Sequence, residues 1–167
     1  KTPVTDQLVV TRHTIKLNGR QIKYTVTAGT MILKEETADR EKEAEGEKPR
    51  AQIFFVAYTK DDVRDAAKRP LTFSFNGGPG SASVWLHMGL LGPKRVMMGD
   101  AGALEPPPYG VADNPESLLA VSDLVFIDPV STGRSRVVEG EQAKDFHGFT
   151  ADIESVARVE AIDRTIY

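Results

Sequence analysis

Two stretches near the start of the chain, Gln7 to Leu17 and Arg20 to Ala28, alternate apolar and polar residues, and Asn18-Gly19 lies between them. A period of two places alternate side chains on opposite faces of a strand, and Asn-Gly supplies the positive φ angles of a tight hairpin turn. The chain is therefore expected to open with a two-stranded ribbon. From 34 to 50 the residues are mostly Glu, Lys, Asp and Arg, a composition that buries nothing and reads as a mobile solvated loop rather than a binding tail. Three more strands are expected at Ala51 to Tyr58, Leu71 to Phe75 and Asp123 to Ile127, each a short run rich in β-branched or aromatic residues.

The connections carry weaker patterns. Thr59 to Arg69 is polar and suits a single helical turn, Ser83 to Leu90 is helix-like, and Gly92 to Pro108 is rich enough in Gly and Pro to be irregular. Asn114-Pro115-Glu116-Ser117 reads as a brief helix start. Thr150 can cap a closing helix that puts Ile153, Val156, Ala157 and Ala161 on one face, with Asp152 and Glu154 favourable in its first turn. No strand follows to complete another strand–helix–strand unit, so the alternation of strands and helices predicts an α/β architecture that stops short.

Composition narrows the function. The 167 residues suit one domain. A net charge of −3 with scattered basic residues argues against a nucleic-acid partner, and no apolar run is long enough for a membrane-spanning helix. The start Lys1-Thr2-Pro3 has neither an initiator Met nor a signal-type apolar segment, which suggests a processed or trimmed product. With no cysteine, disulfides, thiolate nucleophiles and cysteine zinc sites are excluded. His13, His87 and His147 are too dispersed for a metal motif, and no metal or other cofactor is expected.

The chemistry concentrates where Leu71 to Phe75 runs into Asn76-Gly77-Gly78-Pro79-Gly80-Ser81. Consecutive glycines permit positive φ and close approach to the main chain, and Pro79 fixes the next φ and removes one donor. Three uses remain open on these residues. A dinucleotide phosphate cradle fits poorly, because Ser83 stands at the third glycine position and no suitably spaced acid follows. An oxyanion hole, with an N–H aimed at a carbonyl under attack, fits the strand-then-glycine order. A purely structural turn that brings Ser83 to Leu90 against the sheet is the third. Ser81, Ser83 and Ser135 lack a Gly-x-Ser-x-Gly setting and read as cap or turn hydroxyls. His87, in an apolar stretch, reads as a satisfied, partly buried histidine rather than a base.

A second motif, Leu124-Val125-Phe126-Ile127-Asp128-Pro129-Val130-Ser131-Thr132-Gly133-Arg134-Ser135, joins the first. The pair closely resembles the serine carboxypeptidase family of α/β-hydrolases, and Trp85-Leu86-His87-Met88-Gly89, Leu91-Gly92-Pro93 and Asn114-Pro115-Glu116-Ser117 resemble that family's connecting segments. The resemblance covers about Leu71 to Ser135. The hairpin and charged loop match only in layout. Ser81 stands where the family commonly has cysteine, and Ser131 and Asp128-Pro129 alter the second motif slightly; the cysteine-free form looks bacterial in type.

The resemblance implies an incomplete α/β-hydrolase, with an N-terminal hairpin plus core strands, ending at the helix before the nucleophile strand. It makes the Gly78 amide one oxyanion donor. Asn76 and the Gly77 amide would hold the terminal carboxylate of a peptide or protein substrate, an anion satisfied by donors in fixed geometry; the other reading of Asn76 is a turn-stabilising residue. Asp128 would shape its turn rather than serve a triad. The family's nucleophile, acid and histidine follow the oxyanion loop in sequence and would lie beyond these residues. The implied function is the N-terminal portion of a serine-type carboxypeptidase, inactive alone. The alternative is a non-catalytic module that binds peptide C-termini or other anions. In such sheets the strand at Leu71 to Phe75 would lack one neighbour, so a partner is expected, either the missing C-terminal portion or a second copy at the exposed edge. Export to a secreted or periplasmic location is also implied.

Overall fold

The computed structural model describes residues 5–36, 47–77, 80–99, 102–103, 105–147, 154 and 157. Strands β1 (Gln7–Leu17) and β2 (Arg20–Glu36) form the expected hairpin. Asn18 and Gly19 take φ values of 50° and 75°, the pair of left-handed residues whose twist matches that of the flanking strands. The second strand is longer than the alternation predicts. It runs on from Ala28 to Glu36, beside β3 (Glu47–Lys60), with one register shift between Leu33 and Lys34.

Both ends of the charged stretch 34–50 are therefore strand rather than loop. Lys34 pairs with Pro49 and Glu35 with Lys48. Charge that cannot be buried alone is paired instead: Arg50 meets Glu35 and Glu141, and Lys48 meets Glu141 at 2.6 Å. Hydrogen bonding from Lys48, helped by the charge of Arg50, holds the Glu141 carboxyl below its ordinary range. Arg50 also lies over the Phe146 ring, 5.6 Å from its centroid. The tip of this stretch, 37–46, lies outside the described residues.

The main sheet continues with β4 (Leu71–Ser74), β7 (Asp123–Ile127) and the short β8 (Arg136–Val137), which pairs with β3. A separate ribbon joins β5 (Lys94–Val96) to β6 (Val111–Asp113). The order across the main sheet is β1-β2-β3-β7-β4. All pairs are antiparallel except β7 and β4, which run parallel. Within the region read as irregular, β5 is thus a strand, recruited by pairing that local composition does not reveal.

The apolar runs of β3 and β7 have no polar face because both sides of the sheet are covered. Ala51, Ile53, Phe55 and Ala57 of β3 pack with Val125 and Ile127 on one side, under Val130 and Phe146. Val56 and Tyr58 pack with Leu124 and Phe126 on the other, with Ile15, Leu17, Ile22, Tyr24 and Leu119. The connector after β3 contributes one 3-10 turn, Ala66–Lys68, as its polarity predicts. Ser117 caps another, Leu118–Ala120, by accepting from the Leu119 amide at 3.3 Å. Of the closing helix, only Glu154 and Ala157 are described, both helical. Its cap Thr150 and its apolar residues Ile153, Val156 and Ala161 lie outside the described residues.

Candidate functional site

Parallel pairing sets the carboxyl ends of β4 and β7 side by side. The two motifs singled out in the sequence leave the sheet there, at the edge where open α/β sheets receive ligands. Strand β4 ends at Ser74, so Phe75 is already outside it and exposed. Asn76 is half-buried and Gly77 exposed; Gly78 and Pro79 lie outside the described residues. Gly80 is exposed with φ of 89°, a conformation that favours glycine. A Cβ added at Gly77 would meet nothing within 4 Å, and Gly77 is not among the positive-φ residues. Neither packing among the described residues nor backbone conformation accounts for glycine at 77.

The chain then turns inward to Ser83, and Asp128 fastens the two motifs together. The Ser83 amide and hydroxyl donate to Asp128 Oδ1 at 2.9 and 2.8 Å, and the Arg134 amide donates to Oδ2 at 3.0 Å. At 4% exposed, Asp128 is a buried carboxylate satisfied by its own loops. This geometry suits a turn-shaping residue. Gly133 has φ of 45°, and a Cβ there would come within 1.9 Å of Asp128 Oδ2. Ser135 is fully buried: its hydroxyl donates to the Asp128 carbonyl at 2.6 Å and accepts from the Phe54 amide at 2.8 Å. Ser83 and Ser135 are thus turn hydroxyls, as their sequence setting predicts; Ser83 joins the two motifs through Asp128, and Ser135 joins the end of β7 to β3.

The helix-like stretch after the loop is helical over Val84–Leu91, but not as a regular α-helix. One α turn, α1 (Val84–Leu86), widens into a π turn, His87–Leu91. The Gly92 amide donates to the His87 carbonyl at 3.0 Å. A Cβ at 92 would lie 2.4 Å from that oxygen, so glycine permits the wide closure, and Pro93 prevents continuation. Asn114, 1% exposed, holds the far end. Its Nδ2 donates to the carbonyls of Leu90 and Gly92 at 2.7 and 2.8 Å. Nothing in the local sequence marks that role, because the acceptors sit more than twenty residues away.

His87 is partly buried and satisfied, as expected. Its Nε2 lies 2.5 Å from Tyr58 Oη, and its ring stacks on Phe126 with centroids 4.5 Å apart. Burial lowers its pKa to about 4 against an opposing pull from the Asp128 charge, and burial also raises the Tyr58 phenol. Both are neutral at pH 7. The imidazole touches no serine hydroxyl among the described residues, and His13 and His147 are exposed elsewhere. No group of three or more His, Cys, Asp or Glu side chains suited to a metal occurs among the described residues.

No family model matches the chain. The pheromone-processing carboxypeptidase KEX1 of Saccharomyces cerevisiae, in sequences from two strains, is 32% identical over 133 residues, covering 78% of this chain and 16% of the relative. The crystal structure of a prohormone-processing carboxypeptidase from the same yeast superposes with a TM-score of 0.54 at 26% identity, over 83% of this chain and 29% of that one. Together these matches support the serine carboxypeptidase family. The fold, mostly sheet with few helices, is correspondingly α/β-hydrolase-like. The chain spans 16% of the length of the curated carboxypeptidases it matches.

Proposed function

We propose that this chain is the N-terminal portion of a serine-type carboxypeptidase, of bacterial type on its lack of cysteine. In this reading it supplies the electrophilic half of the site. The Gly78 amide stabilises the developing oxyanion, while Asn76 and the Gly77 amide hold the substrate's terminal carboxylate. The observation that carries the reading is Gly77: it is exposed beside the carboxyl ends of two parallel strands, and neither φ nor packing among the described residues accounts for its missing side chain. A ligand approaching the main chain does. The serine, acid and histidine of the triad belong, in this reading, to sequence after these residues.

Binding and turnover test separate parts of this reading. A peptide with a free C-terminus should bind the 167-residue chain, its C-terminal amide should not, and Asn76→Ala should weaken binding about tenfold, as for one charge-assisted hydrogen bond. Equal binding of acid and amide would remove the carboxylate role. Blocked dipeptides should not be hydrolysed, since an oxyanion donor without a nucleophile forms no acyl-enzyme. Reproducible release of the C-terminal amino acid would overturn that part of the assignment. Carboxylate-selective binding that persists after the downstream sequence is restored, with no turnover, would favour a non-catalytic module.

A further inference from the structure

The segment after the glycine turn meets the sheet through the titratable ring of His87 as well as through apolar Leu86 and Leu91. His87 opens the π turn, and its imidazole lies nearly parallel to Phe126 of β7, at an interplanar angle of 22°. At its edge Tyr58 of β3 bonds to Nε2, and Tyr24 of β2 stands behind Tyr58 with ring centroids 6.0 Å apart. Both phenols have raised pKa values, chiefly through burial, and stay neutral. Asp128, after β7, is the charged group that acts on the ring, and among the described residues its carboxylate bonds to Ser83 and Arg134, not to His87. A proton on His87 would therefore add a charge beside the Tyr58 and Phe126 rings with no carboxylate among the described residues bonded to it.

We propose that His87 is an acid-sensitive latch: when neutral it holds α1 and the π turn against the sheet, and when protonated it releases them together with the root of the glycine turn at Ser83. The elements it holds are short, and two features tie their stability to this residue. Gly92 closes the π turn on the His87 carbonyl, with His87 Cδ2 only 3.0 Å from where a Gly92 Cβ would be. The His87 amide donates to the Ser83 carbonyl at 2.9 Å, and Ser83 is in turn the residue bonded to Asp128. Release at His87 thus leads directly to the glycine turn, whether or not that turn serves catalysis.

The direction of the pH effect follows from linkage. The pKa is about 4 in the closed form, against about 6.5 for a free imidazole. Between these values the released segment binds the proton that the closed segment refuses, so closure is complete above about pH 6.5 and weakens as the pH falls toward 4. A single proton changes the open fraction by at most about tenfold per pH unit.

Amide hydrogen exchange of the 167-residue chain, corrected for its intrinsic pH dependence, tests the latch. Protection of the His87 and Gly92 amides should fall by up to about tenfold per pH unit in that window, while β3 amides paired with β7 keep theirs. In His87→Gln and His87→Phe the slope should vanish. Loss of protection in β3 in parallel with the π turn, or an unchanged slope in both variants, would overturn the proposal. Ring-carbon NMR titration of the unsubstituted protein gives an answer even where the variants do not fold: a His87 midpoint well below 6.5 is expected, and one at or above 6.5 rules the latch out.

Discussion

The β1–β3 meander and the loops at the carboxyl ends of β4 and β7 are held by different means. In the meander, long strands pair through backbone bonds and stack apolar side chains on both faces, so neighbours in space are alternate residues in sequence. In the loops, buried polar side chains serve as connectors. Asp128 reaches back 45 residues to Ser83, Asn114 reaches 24 to Leu90, and Ser135 reaches 81 to Phe54. An apolar contact tolerates a change of partner, whereas a buried carboxylate or amide leaves its partners unsatisfied when it is removed. The difference separates the region that supplies bulk stability from the one that supplies shape at the site.

The largest effect should come from the sheet. Phe55, 1% exposed, is among the largest fully buried side chains and belongs to the cluster formed with Val125, Ile127 and Phe146. Phe55→Ala should cost about 4 kcal/mol, through lost burial and the cavity left behind, read from urea denaturation. A loss under about 1 kcal/mol would show that this face of β3 is not the core, and would break the contrast with the loops.

Asp128→Ala should come next, at about 3 kcal/mol, because it strips acceptors from the Ser83 amide and hydroxyl and from the Arg134 amide at once. Gly133→Ala should also destabilise, since the new methyl would collide with Asp128 Oδ2 in a left-handed backbone. The double variant sharpens the point. With Asp128 gone, the collision with its carboxyl goes and only the 3.0 Å approach to Ala82 Cβ and the left-handed φ remain, so the two losses should sum to more than the measured loss of the pair. Strict additivity would mean that the Asp128 carboxyl does not lie against Gly133.

The same contrast explains what could be read in the sequence. The hairpin and the strands at Ala51 to Tyr58 and Asp123 to Ile127 lie where period and composition put them, because those signals are local and repeat along the strand. The ends of β2 and β3 were hidden because Lys34, Glu35, Lys48 and Arg50 read as solvated charge, and only the fold brings Glu141 to two of them. At the site, Asn76-Gly77 is conspicuous in the sequence. The features that position it are less so: the bonds of Asp128, the amide fork of Asn114 and the clasp of Tyr58 on His87 each join residues from different elements. Asp128 and His87 could be assigned structural roles beforehand, but their partners required the three-dimensional structure. Strand β5 was missed for a related reason, since three residues carry too little pattern to outweigh a Gly- and Pro-rich setting.

The smallest effect should come from that ribbon, which resembles neither the meander nor the loops. Lys94 and Asp113 face each other in register across β5 and β6 and form an ion pair between half-exposed side chains. The bond to Asp113 raises the Lys94 pKa, but water screens most of the pair's energy. Lys94→Ala should therefore cost about 0.5 kcal/mol, and moderate salt should erase the difference. The ribbon has firmer attachments beside this pair, since the Asn114 amide donates to the Pro93 carbonyl at 2.9 Å and the Asn114 side chain to the Gly92 carbonyl. A salt-insensitive loss of 2 kcal/mol or more would contradict a screened surface pair and place Lys94 with the buried polar connectors.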